Sequence, residues 1–162
     1  MRAAAPSLLQ SARQYRSGST ITDELTSSLF TATNTTYADF SNVAATSNAR
    51  YAGNTAKTSS GGIQLRSKNS NSGIVSTTSG GKVKSVTIAL ESGTGTIDVY
   101  GSNMAYTDAT DLYATGENAN QGTKIGSLNS TGTITFTDDY AYVGIRSNYG
   151  AVYITKIEIE WQ

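Results

Sequence analysis

One stretch of this chain occurs twice, and the echo limits what the chain can fold into. Ile63-Gln-Leu-Arg-Ser-Lys-Asn-Ser-Asn-Ser-Gly-Ile-Val leads into Gly80-Gly-Lys-Val-Lys-Ser-Val-Thr-Ile. Val143-Gly-Ile-Arg-Ser-Asn-Tyr-Gly-Ala-Val leads into Tyr153-Ile-Thr-Lys-Ile-Glu-Ile-Glu-Trp. Each copy is an apolar strand ending in Arg-Ser, a turn rich in Asn and Gly, and a second strand of spaced apolar residues. Such units predict an all-β chain of paired, hairpin-like segments. The echo sets Arg66 and Arg146 at equivalent spots. The turns are unequal, with 15 residues between Ser67 and Val83 against 6 between Ser147 and Ile154. Unequal turns favour a repeated scaffold over two equal binding sites.

The rest of the chain agrees with this reading. Its 162 residues suit one domain with a two-layer core. Ser, Thr, Gly, Asn and Tyr dominate, there is one Pro, and 15% of residues are charged. Tyr, Ile and Val recur too regularly for disorder. Strands are predicted at 37–43, 49–52, 63–66, 73–77, 83–90, 96–102, 123–128, 132–136, 140–147, 151–154 and 156–161, with polar loops at 55–62 and 103–120. Thr22-Asp-Glu-Leu-Thr reads as one helical turn, with Asp23 as its cap and Leu25, Leu29 and Phe30 facing the core. Strands at this spacing predict a jelly-roll β-sandwich of about eight antiparallel strands over residues 20–162.

Residues 1–19 differ from the body. They carry Arg2, Arg13 and Arg16 and no acid, whereas the other residues hold nine basic and twelve acidic groups. The segment reads as an N-terminal arm or linker, with a short helix after Pro6 presenting Leu8 and Leu9. The neutral-to-acidic body argues against a nucleic-acid partner. No apolar run is long enough to span a membrane, and residues 1–10 are too polar for a signal-peptide core. The chain has no Cys and no His, which removes disulfides, thiolate metal sites and the commonest general base.

From Lys82 onward the order of features resembles the galactose-binding-like jelly roll of discoidin-type and carbohydrate-binding modules. The residues that carry the resemblance are Val83-Lys-Ser-Val-Thr-Ile, Thr96-Ile-Asp-Val-Tyr-Gly-Ser-Asn, Tyr140-Ala-Tyr-Val-Gly-Ile-Arg-Ser and the closing Ile154-Thr-Lys-Ile-Glu-Ile-Glu-Trp. The stretch 21–162 is also similar to accessory domains at the C-terminal end of secreted gut Bacteroidetes proteins and of their phages. Tyr37-Ala-Asp-Phe-Ser, Tyr51-Ala-Gly-Asn, Asn71-Ser-Gly-Ile-Val, Ala105-Tyr-Thr and Asp111-Leu-Tyr carry that second similarity. The resemblance implies a fold and a surface-exposed setting. It transfers no ligand-binding residue.

The candidate ligand residues come from side-chain chemistry. Tyr106, Tyr113 and Tyr149 lie in loops, where rings can stack on sugar C–H faces, and Asn103 and Asn148 offer partners for hydroxyls. Arg66 and Arg146 present guanidinium forks; the alternative is that each bonds the carbonyls of the turn after it and locks a corner. Asp108, Asp111 and Glu117 are candidates for a structural calcium ion, against the alternative of capping a short turn at 109–113. Asp138 and Asp139 are adjacent in sequence and cannot flank one glycosidic bond from an extended strand.

These observations lead to the expectation of a non-catalytic surface module, extracellular or at the cell surface, that recognises a glycan or cell-surface polysaccharide. No cofactor other than calcium is expected, and no membrane insertion. The competing expectation is a structural subunit of a virion or filament, docking on other subunits through Arg2, Leu8, Leu9, Arg13 and Arg16.

Overall fold

A computed structural model describes residues 18–93 and 95–162. The described residues form eleven strands: β1 (Ile21–Leu25), β2 (Ala38–Ala44), β3 (Arg50–Lys57), β4 (Ile63–Arg66), β5 (Gly73–Thr78), β6 (Val83–Gly93), β7 (Thr96–Ser102), β8 (Thr123–Leu128), β9 (Gly132–Thr135), β10 (Tyr142–Tyr149) and β11 (Ala151–Trp161). Every pairing between strands is antiparallel. One layer runs β2-β3-β5-β10-β7-β8. In the other, β11 is flanked by β6 and β9 on one side and by β4 and β1 on the other. β3 also pairs with β4 through Ala56 and Lys57, which draws the layers together along that side. From β3 to β7, and again from β9 to β11, successive strands alternate between layers. This is the jelly-roll type of sandwich.

Period-2 patterning builds the core. Val86 and Ile88, Ile97 and Val99, Val143 and Ile145, and Ile157 and Ile159 are all buried, from strands in both layers. Eleven strands form, more than the sandwich of about eight that was expected: β1 is added to the predicted segments, while 151–154 and 156–161 merge into β11. β11 is one long strand with a register shift between Ile154 and Lys156, so the break expected at Thr155 is a bulge. β3 runs to Lys57 and buries Thr55 and Ala56, which shortens the loop expected at 55–62.

The repeated units are not hairpins. β4 and β6 do not pair with each other; both pair with β11. β10 pairs with β5 and β7 in the opposite layer from β11. Arg66 and Arg146 therefore stand in different layers, and their sequence equivalence does not carry into space.

The segment expected as a helical turn is β1, which pairs with the far end of the chain from Ile21↔Trp161 to Leu25↔Ile157. A single 3-10 turn follows at Ser27–Leu29. Leu25 and Phe30 are core residues as expected, but Asp23 is no cap. It alternates with Leu25 on the inner face and has no exposed surface. Its Oδ1 accepts from the backbone N–H groups of Thr46 (2.9 Å) and Ser47 (2.6 Å). Its Oδ2 accepts from Ser47 Oγ (2.6 Å), Tyr51 OH (2.6 Å) and Trp161 Nε1 (3.0 Å). Burial pushes the carboxyl pKa up, but these bonds outweigh it and hold the group below its usual 3.8. Burial, together with the bond to Asp23, drives the Tyr51 hydroxyl far above its normal range. The carboxylate ties β1, the 46–51 segment and the C-terminal strand into one end of the sandwich.

Candidate functional site

The 103–122 excursion lies on the outer face of the β5-β10-β7 layer and is fixed there by a small second core. Leu112 and Tyr106 are buried against Ala52, Val75 and Tyr100. Gly144 of β10 makes room: a Cβ there would sit 2.5 Å from Leu112 Cδ2. Polar bonds then close the loop on itself. Tyr106 OH donates to the Gln121 carbonyl at 2.9 Å, and Gln121 Nε2 donates to the Leu112 carbonyl at 2.8 Å. Asn120 Nδ2 donates to the carbonyls of Met104 and Ala105. The result is a braced wall with a 3-10 turn at Ala109–Tyr113.

Between this wall and the β2–β3 pair is a cleft with a cavity volume of about 340 Å³. Phe40, Ala52 and Ala109 give it an apolar base, and Asp39, Asn54, Asn71, Asp108 and Thr110 supply its polar lining. Asp39 and Asn54 are direct cross-strand partners, and Asn54 Nδ2 donates to Asp39 Oδ1 at 2.8 Å. An ionised carboxylate only accepts, so this bond fixes which end of the amide faces Asp39. The other end, Asn54 Oδ1, is buried and has no partner, in a side chain only 6% exposed. Asn71 Oδ1 is likewise buried and unpartnered. Across the cleft, Asp108 Oδ1 accepts from the Thr110 N–H (2.8 Å) and from the Thr110 hydroxyl. No Lys or Arg lines the cleft. A second hollow over Gln64, Glu91 and Tyr153 has a similar volume. Its carboxylate, Glu91, already accepts from the hydroxyls of Thr58 and Ser60.

The residues expected to meet a ligand fall into three places. Tyr106, Tyr113, Arg146 and Arg66 gather under and beside the excursion. Tyr106 is 2% exposed, so the expectation of an exposed stacking ring is corrected; burial also raises its hydroxyl pKa. Tyr113 OH donates to the Ser72 carbonyl at 2.8 Å and lies 3.3 Å from that of Arg66. Arg146 stacks over the Tyr113 ring at 4.4 Å, and its Nη1 donates to the Leu112 carbonyl at 2.9 Å. Arg66 stacks over Tyr37 at 3.8 Å. Neither guanidinium bonds the turn that follows it, so the corner lock is built from aromatic faces and, for Arg146, from the 3-10 turn. Burial raises the Tyr113 hydroxyl pKa, and the charges of Arg146 and Arg66 pull against it. Arg146→Ala removes both the stacking and the Leu112 bond, and is expected to cost about 1–2 kcal/mol in urea denaturation.

Asn103 lies at the opposite end of β10 from Asn148 and Tyr149. Eight residues of strand separate these positions by roughly 23 Å at about 3.3 Å per residue, so they do not share a site. Asn103 is a clamp: its Nδ2 donates to the Asp139 carbonyl and its Oδ1 accepts from the Ala141 N–H. Asn148 Nδ2 donates to the buried carboxylate of Asp98 at 2.8 Å. Tyr149 is 70% exposed and stands alone at the β10–β11 turn.

Of the calcium candidates, Asp108 caps the 3-10 turn and Asp111 Oδ2 accepts from the Thr107 N–H at 2.7 Å. Glu117 is exposed in the loop beyond. Among the described residues no three acidic side chains are grouped to hold a metal ion, and the capping alternative describes Asp108. The arm residues Arg2, Leu8, Leu9, Arg13 and Arg16 lie outside the described residues.

Asp39, Asn54 and Asn71 were missed as site residues. Only the β2–β3 register brings the first two together, and that register shifts between Phe40 and Val43, where Asn42 has a positive φ of 55°. The chain was compared with family models, curated proteins and solved structures, and none of them matches it.

Proposed function

We propose that this domain is a non-catalytic, surface-exposed module that binds glycans in the cleft between β2–β3 and the 107–110 wall. The observation that carries the reading is the unpartnered Asn54 Oδ1, oriented by Asp39 in a polar cleft with an apolar base. An acceptor buried without a partner is costly, and a ligand hydroxyl removes that cost. Sugars combine such hydroxyls with apolar C–H faces, which suit Phe40, Ala52 and Ala109. The sandwich supplies a stiff frame, and the braced excursion holds one wall in place before the ligand arrives, which lowers the cost of ordering on binding.

A glycan array tests this. Wild-type protein is expected to bind at least one glycan. Asp39→Ala and Asp108→Ala are each expected to weaken that binding roughly tenfold or more, about 1.4 kcal/mol. Asp39→Ala leaves the Asn54 Nδ2 donor without its partner, and Asp108→Ala removes the cap of the 3-10 turn, so each variant should cost about 1 kcal/mol and stay folded. Absence of binding to every glycan, or release of reducing sugar from a bound one, would refute the reading.

A further inference from the structure

We infer that the cleft selects a glycan carrying a protonated amine, the chemical class of an amino sugar with its nitrogen free. The inference rests on the glycan reading above and names the group the cleft recognises.

Every charged group that lines the cleft is an anion, beside the hydroxyls of Ser41, Thr107 and Thr110. Asn54 Oδ1 and Asn71 Oδ1 are buried acceptors without partners. Asp39 and Asp108 add two carboxylates, one on each wall. No basic residue lines the cleft, and among the described residues neither carboxylate is in an ion pair. The orientation of Asn54 reinforces this asymmetry. Its donor end is spent on Asp39, so it offers the ligand only its carbonyl oxygen. Asp108 is similarly supplied with donors by Thr110 on one oxygen, leaving the other for a ligand.

A neutral hydroxyl brings one donor and no charge to such a cleft. An ammonium brings three donors and a positive charge, and its bonds to carboxylates are charge-assisted. The difference grows on binding. Both carboxylates are exposed in the free protein, and a ligand that covers them removes their water. A neutral ligand leaves two desolvated anions without a counter-charge, whereas an ammonium offsets them. The volume of about 340 Å³ is at the small end for ligand sites and suits a sugar ring better than a bare ion.

The test is calorimetric titration of the whole chain with three trisaccharides: the free-amine glucosamine trimer, its N-acetylated form and the glucose trimer. Calcium chloride alone forms a fourth arm. The free-amine trimer is expected to bind at least roughly tenfold more tightly than the other two. That preference is expected to shrink in Asp39→Asn and Asp108→Asn, each of which keeps a side-chain acceptor oxygen, and to weaken with added salt. Melting temperatures of both variants serve as the folding control. Equal affinity for the three trimers, or array binding confined to glycans without amines, overturns the amine selectivity and leaves the glycan reading standing. Failure of every sugar on the array and in solution overturns both. Calcium binding that depends on Asp39 and Asp108, with no sugar bound, makes the cleft a cation site and also overturns the inference.

Discussion

Asp23→Asn is expected to destabilise the fold by about 3–5 kcal/mol, from the orphaning of two or more buried donors at about 1–3 kcal/mol each. The substitution preserves size, removes the charge and replaces one acceptor oxygen with an NH₂ donor. Five donors converge on the two carboxylate oxygens, two on Oδ1 and three on Oδ2. An amide must turn its NH₂ toward one of these sets. In one orientation it faces the backbone N–H groups of Thr46 and Ser47; in the other it faces Ser47 Oγ, Tyr51 OH and Trp161 Nε1. The melting temperature should fall by roughly 10 °C, at about 2–4 °C per kcal/mol for a domain of this size. The effect also has a signed pH dependence. The folded pKa lies below the usual 3.8, so the carboxylate's contribution is fully present above pH 3.8 and is lost as pH falls through the lower folded value. The stability gap between wild type and variant should therefore be constant above pH 3.8 and close below it. A gap of under about 1 kcal/mol at neutral pH would remove Asp23 from its role as a structural hub.

Gly53→Ala is expected to cost about 3 kcal/mol, at the upper end for overpacking a well-filled interior. Gly53 pairs with Ile74 across β3 and β5, and a Cβ there would lie 2.0 Å from the Gly73 carbonyl oxygen and 2.9 Å from Phe40 Cζ. The first contact is with backbone, which cannot swing aside as a side chain can. Relief requires β3 and β5 to part, and that moves Asn54 and Phe40, two residues of the cleft. Any folded Gly53→Ala protein is therefore expected to lose the glycan affinity proposed for the cleft along with stability. Gly126→Ala is the control, since the three atoms nearest its Cβ all belong to the Ile134 side chain, the first at 3.3 Å, and it should cost under about 1 kcal/mol. Chemical denaturation and amide exchange along β3 measure both effects.

The class of fold was legible because its signal is local. Val86 and Ile88, or Ile157 and Ile159, declare a half-buried strand within three residues. β1 was not legible, because Thr-Asp-Glu-Leu matches a helix cap at least as well as a strand with a polar inward position. What decides it is pairing with β11, about 140 residues away in sequence, and that partnership leaves no mark near Asp23. The same physics hid the site. Tyr106 and Tyr113 sit in a Gly/Asn-rich loop that reads as exposed, yet Gly144 makes room for Leu112 and the loop packs down, burying Tyr106 and half-burying Tyr113. Asp39 and Asn54 are unremarkable in sequence, and only the strand register makes them a carboxylate–amide pair. The aromatic faces on which Arg66 and Arg146 rest were not legible either, because both come from elements distant in sequence.

The claim that the cleft is the binding site is tested most directly by following the Asn54 side-chain amide. Its Nδ2 signals can be observed in a ¹⁵N-correlated NMR spectrum while the tightest-binding array glycan is titrated in. If the cleft is the site, the Asn54 and Asn71 amide signals shift together and saturate with the binding curve, while Asn103 and Asn148 stay in place. Saturable shifts at Asn148 with Asn54 unmoved would place the ligand at the β10–β11 turn and contradict the account.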